Sequence, residues 1–130
     1  MNRKKVATII IITTFAILIF TCLITIFIIP REKQNKFESY MNIGDKYLDE
    51  LNYQDAIMSY TNALNIMPSS NDAIESITSS YLSWADDLIA NENYTEAKQI
   101  LEDAKAIVAN NAIENKINEI NTIIDNKKLA

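Results

Sequence analysis

The chain is 130 residues long, 48% hydrophobic and 22% charged, with a formal net charge of −5. It has no histidine, one cysteine and one glycine, which excludes His-dependent catalytic groups, imidazole metal ligands, an intramolecular disulfide and glycine-rich phosphate loops. Residues 31–130 hold nine Lys and Arg against seventeen Asp and Glu, a net charge of −8, and an acidic surface argues against nucleic acid as a partner.

Residues 1–5 are a basic tail carrying Arg3, Lys4 and Lys5. Residues 6–29 then run without a charge, their polar groups being five threonines and Cys22. As a helix this stretch is about 36 Å long at roughly 1.5 Å per residue, against a hydrocarbon core of about 30 Å, so it is long enough to span a bilayer. Threonine hydroxyls can bond back to the preceding turn and cost little there. A cleaved signal peptide would have a shorter apolar region and a small-x-small end, whereas this block closes on Ile28-Ile29-Pro30. A lipoprotein signal would need small residues before the cysteine, and Ile19-Phe20-Thr21 stand there. The expectation is an uncleaved single-pass anchor in the cell membrane. Basic residues are tied across the span, Arg3, Lys4 and Lys5 against Arg31, Lys33 and Lys36. The shortness of the tail favours a cytoplasmic amino terminus and an extracytoplasmic domain.

Residues 30–36 read as a juxtamembrane linker. Within 37–70 the apolar positions Phe37, Tyr40, Ile43, Tyr47, Leu48 and Leu51, then Ala56, Ile57, Tyr60, Ala63, Leu64 and Met67, recur in steps of three and four. That spacing predicts two amphipathic helices, broken at Asn52-Tyr53-Gln54-Asp55. Pro68 ends the second, and Ser69 to Asp72 offer caps for a third. No strand-like alternation occurs, so the class is all-α.

Tyr53-Gln54-Asp55-Ala56 returns as Tyr94-Thr95-Glu96-Ala97, each after an Asn-containing turn. The first copy is Tyr40-x2-Ile43-Gly44-x2-Tyr47, then Ala56-x3-Tyr60-x2-Ala63-x4-Pro68. This pattern of large, leucine-like, small and aromatic positions followed by alanine, aromatic, alanine and proline resembles the tetratricopeptide repeat family. The only glycine falls on the small position, and the only proline after the apolar block falls on the terminal one. The second copy is Tyr81-x2-Trp84-Ala85-x2-Leu88, then Ala97-x3-Leu101-x2-Ala104. It departs from the family in having Ala109 in place of the proline, and in a 41-residue step from Ala56 to Ala97 against about 34. The surplus of about seven residues is two helical turns, so the first helix of this copy is expected to lengthen to about Asn71–Ala90, burying Ile74, Ile77, Tyr81, Trp84 and Leu88. The resemblance covers 37–109 and implies a solenoid of helix pairs: repeat 1 over 37–70, a repeat-like unit over 71–111, and a closing helix within 112–130 that buries Ile113, Ile117, Ile120 and Ile124. Two repeats make a marginal domain, helped by the closing helix, with self-association as a further aid left open.

The resemblance implies a groove lined by the first helix of each repeat. Its residues here would be Met41, Asn42, Asp45, Leu48 and Asp49, with Ser79, Leu82, Ser83, Asp86 and Ile89 from the next helix. One branch of the family grips a partner's terminal carboxylate with lysine, asparagine and arginine, and the basic residues are missing at the matching places. An acidic groove would meet a basic or amphipathic peptide or helix; equally, these carboxylates can be a solvated helix face. Asp45 with Asp49, and Asp86 with Asp87, lack the shaped loop of a hard-cation site and read as surface charge. Trp84 and the tyrosines read as core. Asn93-Tyr94-Thr95 fits the glycosylation pattern, but Asn and Thr are expected there as capping residues. No catalytic, cofactor-binding or metal-binding residue is expected, and the chain does not read as an enzyme. The function expected is a membrane-tethered adaptor for another protein. The alternative is a structural subunit assembling through the helix stack or the anchor.

Overall fold

The computed structural model describes residues 3–27 and 29–129; Met1 and Asn2 of the basic tail, Ile28 of the apolar block and Ala130 of the last segment lie outside the described residues. The described chain is all-α: α1 Arg3–Phe27, α2 Ile29–Asp49, α3 Tyr53–Ile66, α4 Asn71–Ala90, α5 Tyr94–Ala104 and α6 Asn111–Leu129. It divides into two units, Met1–Lys36 and Phe37–Ala130.

In the first unit, α1 begins at Arg3, so the basic residues expected as a separate tail form its first turn. Its large apolar side chains from Ile9 to Ile26, half-buried Ile24 apart, are about half or more exposed. It is the one helical region among the described residues that is long and apolar enough to cross a membrane. The hydroxyls of Thr13, Thr14, Thr21 and Thr25 donate to the carbonyls of Ile10, Ile11, Leu18 and Cys22 at 2.8–2.9 Å. Each of these four hydroxyls is thereby satisfied within the helix, as an apolar solvent requires. The expected linker 30–36 is helical, belonging to the start of α2. Pro30 does not prevent this, because the amides of a first turn need no intrahelical acceptor.

The second unit is a stack of helices joined by tight turns. Two of those turns share one geometry. After α2, the Asn52 amide donates to the Tyr47 carbonyl at 2.8 Å and the Leu51 amide to the Leu48 carbonyl at 2.9 Å. After α4, the amides of Asn93 and Glu92 repeat both bonds to Leu88 and Ile89 at 2.8 and 2.9 Å. This double closure needs a left-handed residue, supplied by Leu51 at φ 57° and Glu92 at φ 62°, where glycine would be easier by roughly 1 kcal/mol. Asn52 then caps α3 by accepting from the Asp55 amide while donating to its carboxylate at 2.7 Å. Ser70 caps α4 by accepting from the Ala73 amide at 3.2 Å. The lengthened α4 runs over the residues expected from the 41-residue step, whereas α5 ends at Ala104, well short of Ala109.

The core joins α3, α4, α5 and α6 through Ala56, Ile57, Tyr60, Ile77, Tyr81, Ala85, Ala97, Ile100, Leu101, Ala104, Ile113, Ile117 and Ile120. Phe37, Ala63 and Ala73 form a smaller cluster beside it. Of the expected α4 stripe, Ile77 and Tyr81 are buried, while Ile74, Trp84 and Leu88 are half-buried against the core. The pattern continues into α6. Buried Ala73, Ile77 and Ser80 of α4 are matched 40 residues on by buried Ile113, Ile117 and Ile120. Tyr53 at the start of α3 stacks on Trp84, ring centroids 6.3 Å apart, and its hydroxyl donates to Asp87 at 2.6 Å. Tyr94 at the start of α5 lies under the Lys127 ammonium at 4.7 Å. The residue pairs Tyr53/Tyr94 and Asp87/Lys127 are 41 and 40 residues apart, so α6 stands to α5 as α4 stands to α3. Its outward residues, Glu114, Asn115, Asn118, Thr122 and Asp125, are exposed.

A close approach joins α2 to α3 at Gly44 and Tyr60. A Cβ at Gly44 would fall 2.6 Å from Cδ1 and 2.8 Å from Cζ of Tyr60, and nearer still to Cε1, well inside the ~3.5–4.0 Å separation of non-bonded carbons. Tyr60 is 1% exposed and cannot swing away into solvent. Ala85 and Leu101, 41 residues on from Gly44 and Tyr60, are both fully buried, so a slightly larger residue is matched by a slightly smaller one. Gly44→Ala is therefore expected to lower stability by about 1 kcal/mol, overpacking of ~1–3 kcal/mol outweighing the gain in helix propensity. In a Tyr60→Leu background the same change should cost at least about 1 kcal/mol less. Melting of the four chains, followed by Trp84 fluorescence, measures the difference; additive effects would refute the size match.

Candidate functional site

Two clefts open beside α4 and share Glu75 and Ser79 in their linings. The first, about 340 Å³, is lined by Asp45 and Leu48 of α2, Tyr60 of α3, and Asp72, Glu75, Ser76 and Ser79 of α4. The second, about 450 Å³, is lined by Ile74, Glu75, Thr78, Ser79, Leu82, Ser83 and Asp86 of α4, with Asn110 and Ala112 at the start of α6. A third cleft of about 500 Å³ lies between the first turn of α5 and the last turns of α6, around Tyr94, Ile124 and Lys127. Its Lys127 ammonium is already held by Glu92 at 3.0 Å and by the Tyr94 ring.

Of the groove residues expected from sequence, Asp45, Leu48, Ser79, Leu82, Ser83 and Asp86 line the first two clefts. Met41 and Ile89 do not; they are half-buried and packed against the core. Asn42 and Asp49 are exposed and line neither. Asp72, Glu75 and Ser76 were not among the groove residues expected from sequence, although stepping back four and seven residues from Ser79 reaches Glu75 and Asp72 on the same helix face. Tyr60 contributes a floor that no pattern along α4 could have suggested.

The repeat-signature residues divide by burial. Gly44, Ala56, Tyr60, Ala63, Tyr81, Ala85, Ala97, Leu101 and Ala104 are buried, and Tyr40, Tyr47, Trp84 and Leu88 half-buried. Pro68 is exposed beyond the end of α3. Ile43 was expected on an apolar face but is 42% exposed. Its counterpart Trp84 is covered by Tyr53 from the preceding α3, and no described helix supplies such a ring to Ile43.

The charges along the clefts are tied to the packing. Tyr60 donates to Asp45 at 2.7 Å, and burial first, then that hydrogen bond, push the phenol far upward. The hydrogen bond to Asp87, then burial, push Tyr53 up to about 12. Burial raises Tyr81, with Asp103 adding to it. Lys116 of α6 bridges Asp86 of α4 at 3.0 Å and Glu119 at 2.9 Å, and these bonds, Glu119 foremost, raise the ammonium above its ordinary value. Among the described residues, no three carboxylates or cysteines converge to hold a metal ion. The first two clefts set carboxylates and hydroxyls beside leucine side chains. No family model, curated protein or solved structure matches this chain.

Tyr53, Tyr60, Tyr81 and Lys116 all release protons later in the folded chain than in the unfolded one. Their stabilising contribution is complete below about pH 10 and declines as pH rises toward the folded values. The melting temperature, read by Trp84 fluorescence, is expected to hold from pH 7 to 9 and to fall above about pH 10. Tyr53→Phe should flatten the part of that fall between about 10 and 12; an unchanged profile would show the Asp87 bond to be without energetic consequence.

Proposed function

We propose that this chain is a membrane-tethered adaptor of tetratricopeptide-like architecture. On this reading α1 anchors the chain, and the stack α2–α6 presents its paired clefts to a basic or amphipathic segment of another protein. The observation that carries the proposal is the continuous strip formed by the two clefts, in which Asp45, Asp72, Glu75 and Asp86 alternate with Leu48, Ile74 and Leu82. The two helix–turn–helix units and the in-register α6 support the repeat reading, and the exposed apolar surface of α1 supports the anchor. Tethering raises the local concentration of the stack near other membrane-bound proteins, so a weak groove suffices. Assembly through the α6 end of the stack is disfavoured by its polarity, the outer face of α6 being Asn- and Glu-rich; at the α2 end exposed Ser39 and Lys46 stand beside exposed Ile43.

Two measurements test this. A photo-crosslinking amino acid at exposed Ser79 is expected to capture a discrete partner in cells, while the same residue at Met58, 58% exposed on α3, captures none; equal yields, or none at Ser79, would refute groove binding. With Cys22→Ser and Ser79→Cys, a membrane-impermeant maleimide is expected to label intact cells, placing the stack outside. Labelling only after lysis would reverse the orientation and make the partners cytosolic.

A further inference from the structure

Successive first helices of this stack meet at two joints, and the chain treats them differently. At the α4–α6 joint, Asp86 of the earlier helix faces Lys116 of the later one, and Lys116 also reaches Glu119. Its side chain is 21% exposed, laid into the joint rather than extended into water. Stepping back one repeat, Asp86 becomes Asp45, Lys116 becomes Ser76 and Glu119 becomes Ser79. All three of these line the α2–α4 cleft. The acid is kept and the base is replaced by a short hydroxyl. Two further carboxylates, Asp72 and Glu75, stand at the same cleft where α6 has Ala112 and Asn115. None of Asp45, Asp72 and Glu75 has an ion-pair partner among the described residues.

Resting on the adaptor reading, we infer that the α2–α4 cleft receives a lysine or arginine side chain from the partner protein, in the position that Lys116 fills at the next joint. Leu48, above the buried Tyr60 at the cleft floor, forms the apolar wall against which a methylene stem packs, as long basic side chains do when only their heads are charged. The three carboxylates meet the head, and the Tyr60 hydroxyl holds Asp45 in place at 2.7 Å. Gathering like charge around one concave site raises the local concentration of cations and selects a basic partner over an acidic one. The chain's own lysine at the equivalent joint is independent evidence of what such a site takes.

The test uses the full chain in phosphatidylcholine nanodiscs at low salt and a fluorescent 14-residue amphipathic peptide of leucine and lysine, with its leucine–glutamate counterpart as control. The basic peptide is expected to bind and the acidic one not to. Ser76→Lys supplies the missing ammonium in cis, and should weaken binding at least tenfold while leaving the melting temperature unchanged or higher. Asp72→Asn with Glu75→Gln should weaken it similarly, and Glu102→Gln on α5 should not. If Ser76→Lys melts lower than the parent, the carboxylate variant decides. Failure of the parent to bind, binding within twofold of the parent in the deciding variant, or equal weakening by Glu102→Gln would overturn the inference. The two proposals fail separately. A Ser79 crosslink that survives Ser76→Lys keeps the adaptor and removes the pocket; peptide binding lost in Ser76→Lys without any crosslink in cells keeps the pocket and removes the adaptor.

Discussion

The approach of α2 to α3 at Gly44 and Tyr60 is the constraint on which the rest of the stack depends. With no side chain at Gly44, the Tyr60 ring occupies the space a Cβ would take there. That places its hydroxyl within reach of Asp45 one residue along, and it sets the width of the cleft above. The helix pair is therefore held by one contact that is both apolar and polar: the ring fills the crossing and its tip orients a carboxylate. Hydrophobic packing alone would fix the distance between two helices but not their rotation about each other. A directional hydrogen bond at the edge of a packed ring fixes both.

The same logic recurs at the joints between pairs. Tyr53 lies on Trp84 and bonds Asp87, and Tyr94 lies beside Ile124 under Lys127. In each case an aromatic residue in the first turn of one helix reaches the last turns of the next, so the stack is tied at its rim as well as along its core. Such ties between neighbouring helices add to the contacts that α4 and α6 make directly, as in the Asp86–Lys116 pair.

Much of this was readable from residue spacing. The lengthened α4 followed from a 41-residue step and the 3.6-residue period, and α6 from four isoleucines in steps of three and four. Other features were hidden for definite physical reasons. Helix over 30–36 was hidden by Pro30, which disfavours helix in the residue before it but not in those after it. The end of α5 at Ala104 leaves no strong local marker, since Ala106, Ile107 and Val108 are all acceptable in a helix. Ile43 looked like core because periodicity reports a face and not whether a neighbour covers it. The cleft residues Asp72 and Glu75 lie on the stretch of α4 where the family pattern has no position, so a resemblance could not point to them. Tyr60 was legible as core, and its second role appears only once α2 is in place.

The threonines of α1 carry a consequence for how such a chain would behave laterally. Four of the five hydroxyls, those of Thr13, Thr14, Thr21 and Thr25, donate to carbonyls of their own helix, so at these positions the helix turns methyl groups and hydrocarbon outward. Helix association within lipid relies on close packing of small surfaces and on hydrogen bonds between helices; this one presents Ile, Leu and Phe along most of its length. On the adaptor reading, with α1 in a bilayer, the search for a partner is a diffusion in two dimensions, ended by what the stack grips.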